Sequence, residues 1–290
     1  MLTAIDPKIE VSFVPPPQGL RHQVNTFFLV RGDVDRIEEV MPAYSGQILV
    51  FLEGEAAMHF DHGTQSASDR VILNAPLLQA TPFTVNGPIS CFGASLTHRG
   101  WAELVQRPVD EWHSRILAPG ELFGRETAEL FTDLAEMSVD DVEGLAEALG
   151  SAIHKAAVGL GPSHVRFISE TLAWLSSGFS PPVEELFERL ALSRRQTQRL
   201  CNRFFGVPPK QLLKRVRAVR AATLLSQPNL PDATRDELLL AYFDQSHLIN
   251  DIKRYTGRTP TLLEEGEFVT QTLKPEGHGP PGRYLRGATE

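Results

Sequence analysis

Two stretches in the C-terminal third of the chain end alike, and this repetition constrains the fold more than any other feature. Phe204-Phe205-Gly206-Val207-Pro208-Pro209 aligns with Tyr255-Thr256-Gly257-Arg258-Thr259-Pro260, both closing on Gly-x-x-Pro. A glycine just past a helix accepts the left-handed backbone that ends it, and a proline beyond cannot continue it. Each ending follows a helical pattern, over 194–205 and 245–255. The first is preceded by a shorter helix from Pro182 to Leu192 that turns Val183, Leu186, Phe187 and Leu190 inward. Ser193 then offers its hydroxyl as N-cap to the next helix. The second is preceded by a short helix over Thr234 to Ala241 and a turn at Tyr242-Phe243-Asp244. A short helix, a tight turn and a second helix, repeated once, predict two helix-turn-helix units.

Charge agrees. The chain has a net charge of −8, yet 181–265 holds 14 Lys and Arg against 10 Asp and Glu, leaving 14 against 26 for the rest. Arg189 to Arg220 carries ten basic residues and no carboxylate. Such asymmetry points to a polyanion-binding module attached to something different.

Helical spacing assigns the faces. Leu200 and Phe204 lie four apart and turn inward, while Arg195, Gln198, Arg199 and Asn202 fall on the opposite side. Arg grips a guanine edge with two donors and Gln pairs with adenine, so this face suits the major groove. Pro208-Pro209 opens a long helix from Lys210 to Ser226, with Leu212, Leu213, Val216, Val219 and Leu224 inward. Lys210, Lys214, Arg215 and Arg217 are expected near phosphates.

Residues 165–265 resemble the DNA-binding domain of AraC/XylS-family bacterial transcription regulators. The matching runs are Leu192-Ser193-Arg194-Arg195-Gln196-x-Gln198-Arg199-Leu200, Phe205-Gly206-x-x-Pro209, Arg217, Tyr242-Phe243-Asp244-Gln245-Ser246-His247-Leu248, and Lys253-Arg254-x-x-Gly257-Arg258-Thr259-Pro260. The resemblance implies seven helices, with two reading helices entering successive major grooves about one helical turn of ~34 Å apart. By position the base-facing residues are Arg195, Gln198 and Arg199 in the first unit, and Gln245, Ser246, His247 and Asn250 in the second. Ser193, Arg194 and Lys253 join the four residues named above as phosphate contacts. Departures concentrate in the second unit: Glu237 where a small residue is usual, Ala241 for Gly, Asn250 for a basic residue, and Asp244 and Asp251 flanking the reading face. The first unit is therefore expected to carry most of the affinity and the second to tune it.

Upstream the pattern changes. From about Lys8 to His98 short apolar runs alternate with Gly, Pro and Asn, among them 25–30, 47–52, 57–60, 70–73 and 89–96, as in antiparallel strands. Helical spacing follows over Glu121 to Met137, from Val142 to Ile153, and over Val165 to Leu175. Ser176 to Pro182 reads as a linker. The expected class is α+β, with a β-rich barrel or sandwich, then helices, then an all-α domain with two helix-turn-helix units. The divisions are 1–160 for a regulatory, sensor-like domain, 161–265 for the DNA-binding domain and 266–290 for a disordered tail, whose Pro- and Gly-rich composition cannot fill a core. Resemblance to the sensor domain of the same regulators rests on Pro88-Ile89-Ser90-Cys91-Phe92-Gly93-Ala94, Gly100-Trp101-Ala102-Glu103-Leu104 and Ile116 to Gly124, and implies a cupin-like barrel.

Other chemistry is weakly signalled. His22, His59, His62, His98 and His113 offer imidazoles, but only His59-Phe60-Asp61-His62 is compact, and it sits at a hairpin turn, so no metal is expected. Trp101, Trp112 and Trp174 read as core rather than as lining of an effector pocket, and Cys201 as a small packed apolar group. There is no nucleophile elbow, phosphate-cradling loop or HExxH helix, so no catalytic residue and no cofactor are assigned. A metal- or cofactor-dependent cupin-like enzyme with an appended DNA-binding module is the alternative, and an interaction module that has lost DNA binding is another. The expected partner is double-stranded DNA in the cytoplasm, with no membrane. RNA polymerase, a second copy of the chain, and a small-molecule or protein effector at the N-terminal domain complete the expected partners.

Overall fold

A computed structural model describes residues 9–33, 35–67, 69–227, 230–231, 238, 242, 245–263 and 268–273. The expected helix 234–241 and turn 242–244 lie outside the described residues except for Leu238 and Tyr242, as do Glu237, Ala241 and Asp244.

Among the described residues eight strands form one antiparallel sheet: β1 (Ile9–Val14), β2 (Val24–Gly32), β3 (Arg36–Met41), β4 (Gln47–Phe60), β5 (Gly63–Ser66), β6 (Val71–Asn74), β7 (Thr81–Leu96) and β8 (Ile116–Leu117). Their order is β1-β2-β7-β4-β6-β8, with β3 also on β7 and β5 also on β4. The expected strands 47–52 and 57–60 are one strand of 14 residues. It survives the intervening Gly54 because a register shift there lets the strand bend, with Gly54 at φ 84°. β7 is likewise long, pairing with β2 through Ile89–Leu96 and with β3 through Thr81–Asn86.

Alternation along these strands explains the continuous apolar runs, because both faces of the sheet are buried. Phe27, Ile48, Val50, Leu73, Phe92 and Leu96 face one way, into a core shared with Trp101, Phe131, Leu145 and Leu149 of the following helices. Phe51, Met58, Ile72, Phe83, Val85 and Cys91 face the other way, into a second core. Each fully buried large side chain contributes about 1.5–3 kcal/mol over leaving it exposed.

The helices over the first face are α1 (His98–Val105), α2 (Val109–Trp112), α3 (Pro119–Leu122), α4 (Arg125–Thr132) and α5 (Val142–Ala156). The single helix expected over 121–137 is broken: α3 ends at Leu122, α4 starts at Arg125, and a 3-10 turn carries 133–136. Gly124, extended at φ −62° and ψ 158°, separates the first two. The all-α part has α6 (Pro162–Ser176), α7 (Val183–Leu190), α8 (Arg194–Phe205), α9 (Pro209–Leu225) and α10 (Gln245–Thr256). α7, α8 and the first half of α9 close one core around Trp174, Leu186, Cys201 and Phe204. The second half of α9 and α10 close another around Val219, Leu248 and Ile252.

The stretch expected to be a tail departs from that reading at 268–273. There α11 (Phe268–Thr272) is helical, with Phe268 6% exposed and Val269 and Leu273 fully buried. Its apolar residues pack although the surrounding composition is poor in them, because the fold presents two apolar faces for the segment to fill. No helix of the described residues is long and apolar enough to cross a membrane.

Candidate nucleic-acid interface

The first helix-turn-helix unit is set by its caps. Ala191 ends α7 at φ 52°, a left-handed backbone. Ser193 then accepts from the Gln196 N–H at 3.3 Å, while Gln196 Oε1 accepts from the Ser193 N–H at 3.1 Å. This reciprocal box satisfies two of the otherwise unpaired N–H groups at the start of α8. Thr197, Cys201, Phe204 and Phe205 turn into the core, which leaves Arg195, Gln198 and Arg199 exposed on the other side. Asn202 is half-buried. In the second unit Leu248, Ile252 and Tyr255 anchor α10, and Gln245, Ser246, His247 and Asn250 are exposed. All seven expected base-facing side chains are thus on the surface of the two helices.

The expected phosphate contacts divide. Ser193, Arg194, Lys210 and Lys253 are exposed. Arg215 is not: it is 7% exposed, and its Nη2 donates to the Phe205 carbonyl at 3.3 Å. Its position in the sequence resembles that of its basic neighbours, but the 3.6-residue period turns it inward, so its role is to tie α9 to the end of α8. Lys214 and Arg217 converge on Asp251 of α10, at 2.9 and 3.7 Å. The Arg217 guanidinium also lies 4.2 Å from the centre of the Tyr242 ring. Asp251, expected beside the reading face, is 4% exposed and points to α9 instead. Its charge holds α10 against Lys214 and Arg217 of α9. Lys210, Lys214, Arg217 and His247 line one open cleft of about 630 Å³ between the two units, with Asp251 and Glu184.

Arg220 was not a candidate, and the structure gives it a purely internal part. It is 1% exposed and donates to the carbonyls of Gly178 at 2.7 Å and Leu175 at 3.0 Å, strapping the 176–182 linker to α9. Desolvation brings its pKa down to about 10, which leaves it charged at neutral pH.

A second group absent from the sequence reading is the seam between the β-rich part and the reading helices. The C-terminal ends of both helices dock on it. Gly206 (φ 79°) closes α8 against Leu78 and Val109, where an added Cβ would sit 2.6 and 2.8 Å from their methyl carbons. Gly257 (φ 78°) closes α10 directly against Val40. Both glycines therefore combine the helix stop with a close approach that no other residue allows. The Ala43 and Ala80 N–H groups donate to the carbonyls of Tyr255 at 2.7 Å and Arg254 at 3.0 Å. Arg258 meets Glu39 of β3 at 2.6 Å, with side chains 11% and 2% exposed. His98, fully buried, packs its ring 4.5 Å from that of Phe205, and burial, then Arg215, depress its pKa to about 3. Of these residues Phe205, Gly206, Tyr255, Gly257 and Arg258 carried a signal in sequence as parts of the repeated endings, whereas Glu39, Val40, Ala43, Leu78, Ala80 and Val109 carried none.

The other sequence candidates are structural. His59 shares a 2.9 Å contact between its Nδ1 and the Thr64 hydroxyl across the β4–β5 hairpin, and the His62 ring stacks on Phe60. Among the described residues no group of three or more His, Cys, Asp or Glu is gathered as for a metal ion. Cys201 and Cys91 are buried, and desolvation pushes both thiols up to about 12.

Residues 186–265 match the family described as helix-turn-helix domain. The C-terminal part of the chain is a helical, helix-turn-helix DNA-binding domain. The matched domain is of the AraC type, and the protein is a DNA-binding transcriptional regulator. No curated protein matches the chain. Among solved structures it is similar to ToxT from Vibrio cholerae, at 6% identity and a TM-score of 0.45, over 88% of this chain and 97% of that one. A structure of wild-type ToxT from Vibrio cholerae strain SCE256 with an unsaturated fatty acid bound gives 10% identity and a TM-score of 0.42, over 89% and 95%. The AraC-like transcriptional activator CuxR gives 12% identity and a TM-score of 0.28, over 74% and 87%.

Proposed function

We propose that the protein controls transcription by laying α8 and α10 into two successive major-groove segments of one duplex. Arg195, Gln198 and Arg199 read bases in the first segment, and Gln245, Ser246, His247 and Asn250 in the second. Ser193, Arg194, Lys210 and Lys253 fix the register on phosphates, which makes affinity fall with salt. The observation that carries this reading is the exposure of all seven base-facing side chains on helices whose other faces are fully buried. Acting on DNA implies a cytoplasmic site of action.

The N-terminal part is the regulatory one. By gripping the C-terminal ends of both reading helices it sets their separation, and a small-molecule effector in the β-rich part would act through that grip.

Arg199→Ala is expected to cost about 1–3 kcal/mol on the preferred site and to relax its sequence preference. Lys210→Ala is expected to weaken all duplexes alike and to lower the salt slope by about one. A uniform loss from Arg199→Ala across unrelated duplexes contradicts its assignment as a base reader.

A further inference from the structure

The two reading helices rest on different kinds of core. The first unit has Phe167, Trp174, Phe204 and Phe205 in its core. In the second, α9 contributes the small side chains Ala218, Ala221 and Ala222 beside Val219. Small side chains leave volume that a close-packed interior has to fill from elsewhere. Val269 and Leu273, both fully buried, fill it, in one core with Leu248 and Ile252 of α10. They come from beyond residue 265, where the match to the helix-turn-helix family ends.

The same short helix is fastened to the β-rich part on its other side. Phe268 belongs to the second core of the sheet, and its ring meets Phe83 edge-on at 5.2 Å. Gln271 uses both ends of its amide on β1, the strand at one end of the sheet order. Its Oε1 accepts from the Val11 N–H at 3.2 Å, and its Nε2 donates to the Ile9 carbonyl at 3.2 Å. The Tyr44 hydroxyl donates to the Thr272 carbonyl at 2.5 Å, one of the acceptors that a helix leaves unpaired at its C-terminal end.

We infer that α11 is the positioning element of the second reading helix. It completes the core under α10 and ties that core to the sheet, so residues outside the matched domain set the pose in which Gln245, Ser246, His247 and Asn250 meet the bases. α10 is otherwise held at its C-terminal end, by the Ala43 and Ala80 N–H groups, and along one side, by Asp251. Leu248, whose core α11 completes, lies among the base-facing residues themselves. Hydrogen bonds to base edges weaken steeply with misalignment. A loosened α10 therefore loses discrimination between sequences before it loses the attraction of its basic residues for phosphate. This role in specificity rests on the reading of α10 as a base-reading helix; the fastening of α10 does not.

The test uses full-length proteins: wild type, Leu273→Ala, Leu273→Met, Gln271→Ala, and Leu145→Ala as a control in the first core of the sheet. Binding is measured on the two-part duplex selected by the wild type and on duplexes with either part scrambled. Leu273→Ala is expected to lower discrimination in the second part by about fivefold or more, the lower end of what one good base contact is worth, and to leave the first part unchanged. Gln271→Ala should move the second part in the same direction. Leu273→Met, close to the native volume, should restore discrimination, and Leu145→Ala should not distinguish the parts. Equal losses in both parts from Leu273→Ala, no loss in either, or a wild-type motif lacking the second part overturns the role in specificity. Without DNA, amide exchange in Leu273→Ala and Gln271→Ala should rise in 245–256 and not in 194–205. Unchanged exchange in 245–256 overturns the fastening. If the wild type selects no sequence, the regulator reading fails, and the exchange measurement alone decides whether α11 holds α10.

Discussion

The Glu39–Arg258 pair offers a quantitative handle on the seam. Both groups are out of water and 2.6 Å apart, which puts the pair in the buried class rather than with exposed pairs, which are worth 0–1 kcal/mol. Arg258→Met keeps the unbranched apolar stem of the side chain but removes the guanidinium and leaves the Glu39 carboxylate enclosed beside Val40, whose N–H is 3.2 Å from its Oε2. Removing one partner of a buried pair costs about 3–5 kcal/mol, because the remaining charge loses its compensation. At roughly 2–4 °C per kcal/mol for chains of this size, the melting temperature should fall by on the order of 10 °C. The double variant with Glu39→Leu and Arg258→Met should recover most of that loss, since no charge remains to be desolvated. Thermal unfolding of the four proteins, with Glu129→Gln at the exposed Arg125–Glu129 pair as control, gives the cycle. A loss below about 1 kcal/mol for Arg258→Met, equal to the control, would refute the argument that the seam is closed around this pair.

Further consequences follow from the same contacts. His98 has its folded pKa depressed, so the unfolded state binds its proton more readily and stability is lost as pH falls. The loss begins below about pH 6.5 and continues towards 3, reaching about 2 kcal/mol at pH 5 for this one group; urea unfolding of His98→Gln at pH 7.5 and 5 should remove that part of the slope. Cys91 and Cys201, held neutral by burial, should resist a thiol reagent at pH 8 until the protein is unfolded, and rapid labelling of the native state would contradict their burial. Asp251→Asn removes the carboxylate charge that Lys214 and Arg217 share. It should raise affinity for unrelated duplexes while loosening α10, read as a steeper salt dependence and faster amide exchange in 245–256. Unchanged affinity and exchange would mean that Asp251 does not organise the second unit.

The reading units were legible because their signals are local. Ser193 and Gln196 three apart, Gly206 and Gly257 as stops, and the inward spacing of Leu186, Leu190, Cys201 and Phe204 each act within a turn or two of helix. Alternating burial in the sheet was less visible, because both faces are apolar and period-two contrast disappears from runs such as Ile48 to Leu52. The inward turn of Arg215 and the pairing of Asp251 with Lys214 depend on which neighbour a helix meets, and that is decided across the chain. The seam and the docking of α11 were hidden for the same reason: Glu39 and Arg258, or Ile9 and Gln271, are brought together from distant segments. Composition also misled at 268–273, where a few apolar residues suffice because both of the surfaces they touch are already formed.

The central claim is that α8 and α10 read one duplex together. Full-length protein should therefore be used to select sites from a random duplex pool at two salt concentrations. The account predicts a motif in two parts about one helical turn apart, with overall affinity, but not the motif, weakened at the higher salt. Binding that enriches no sequence and vanishes with modest salt would contradict it.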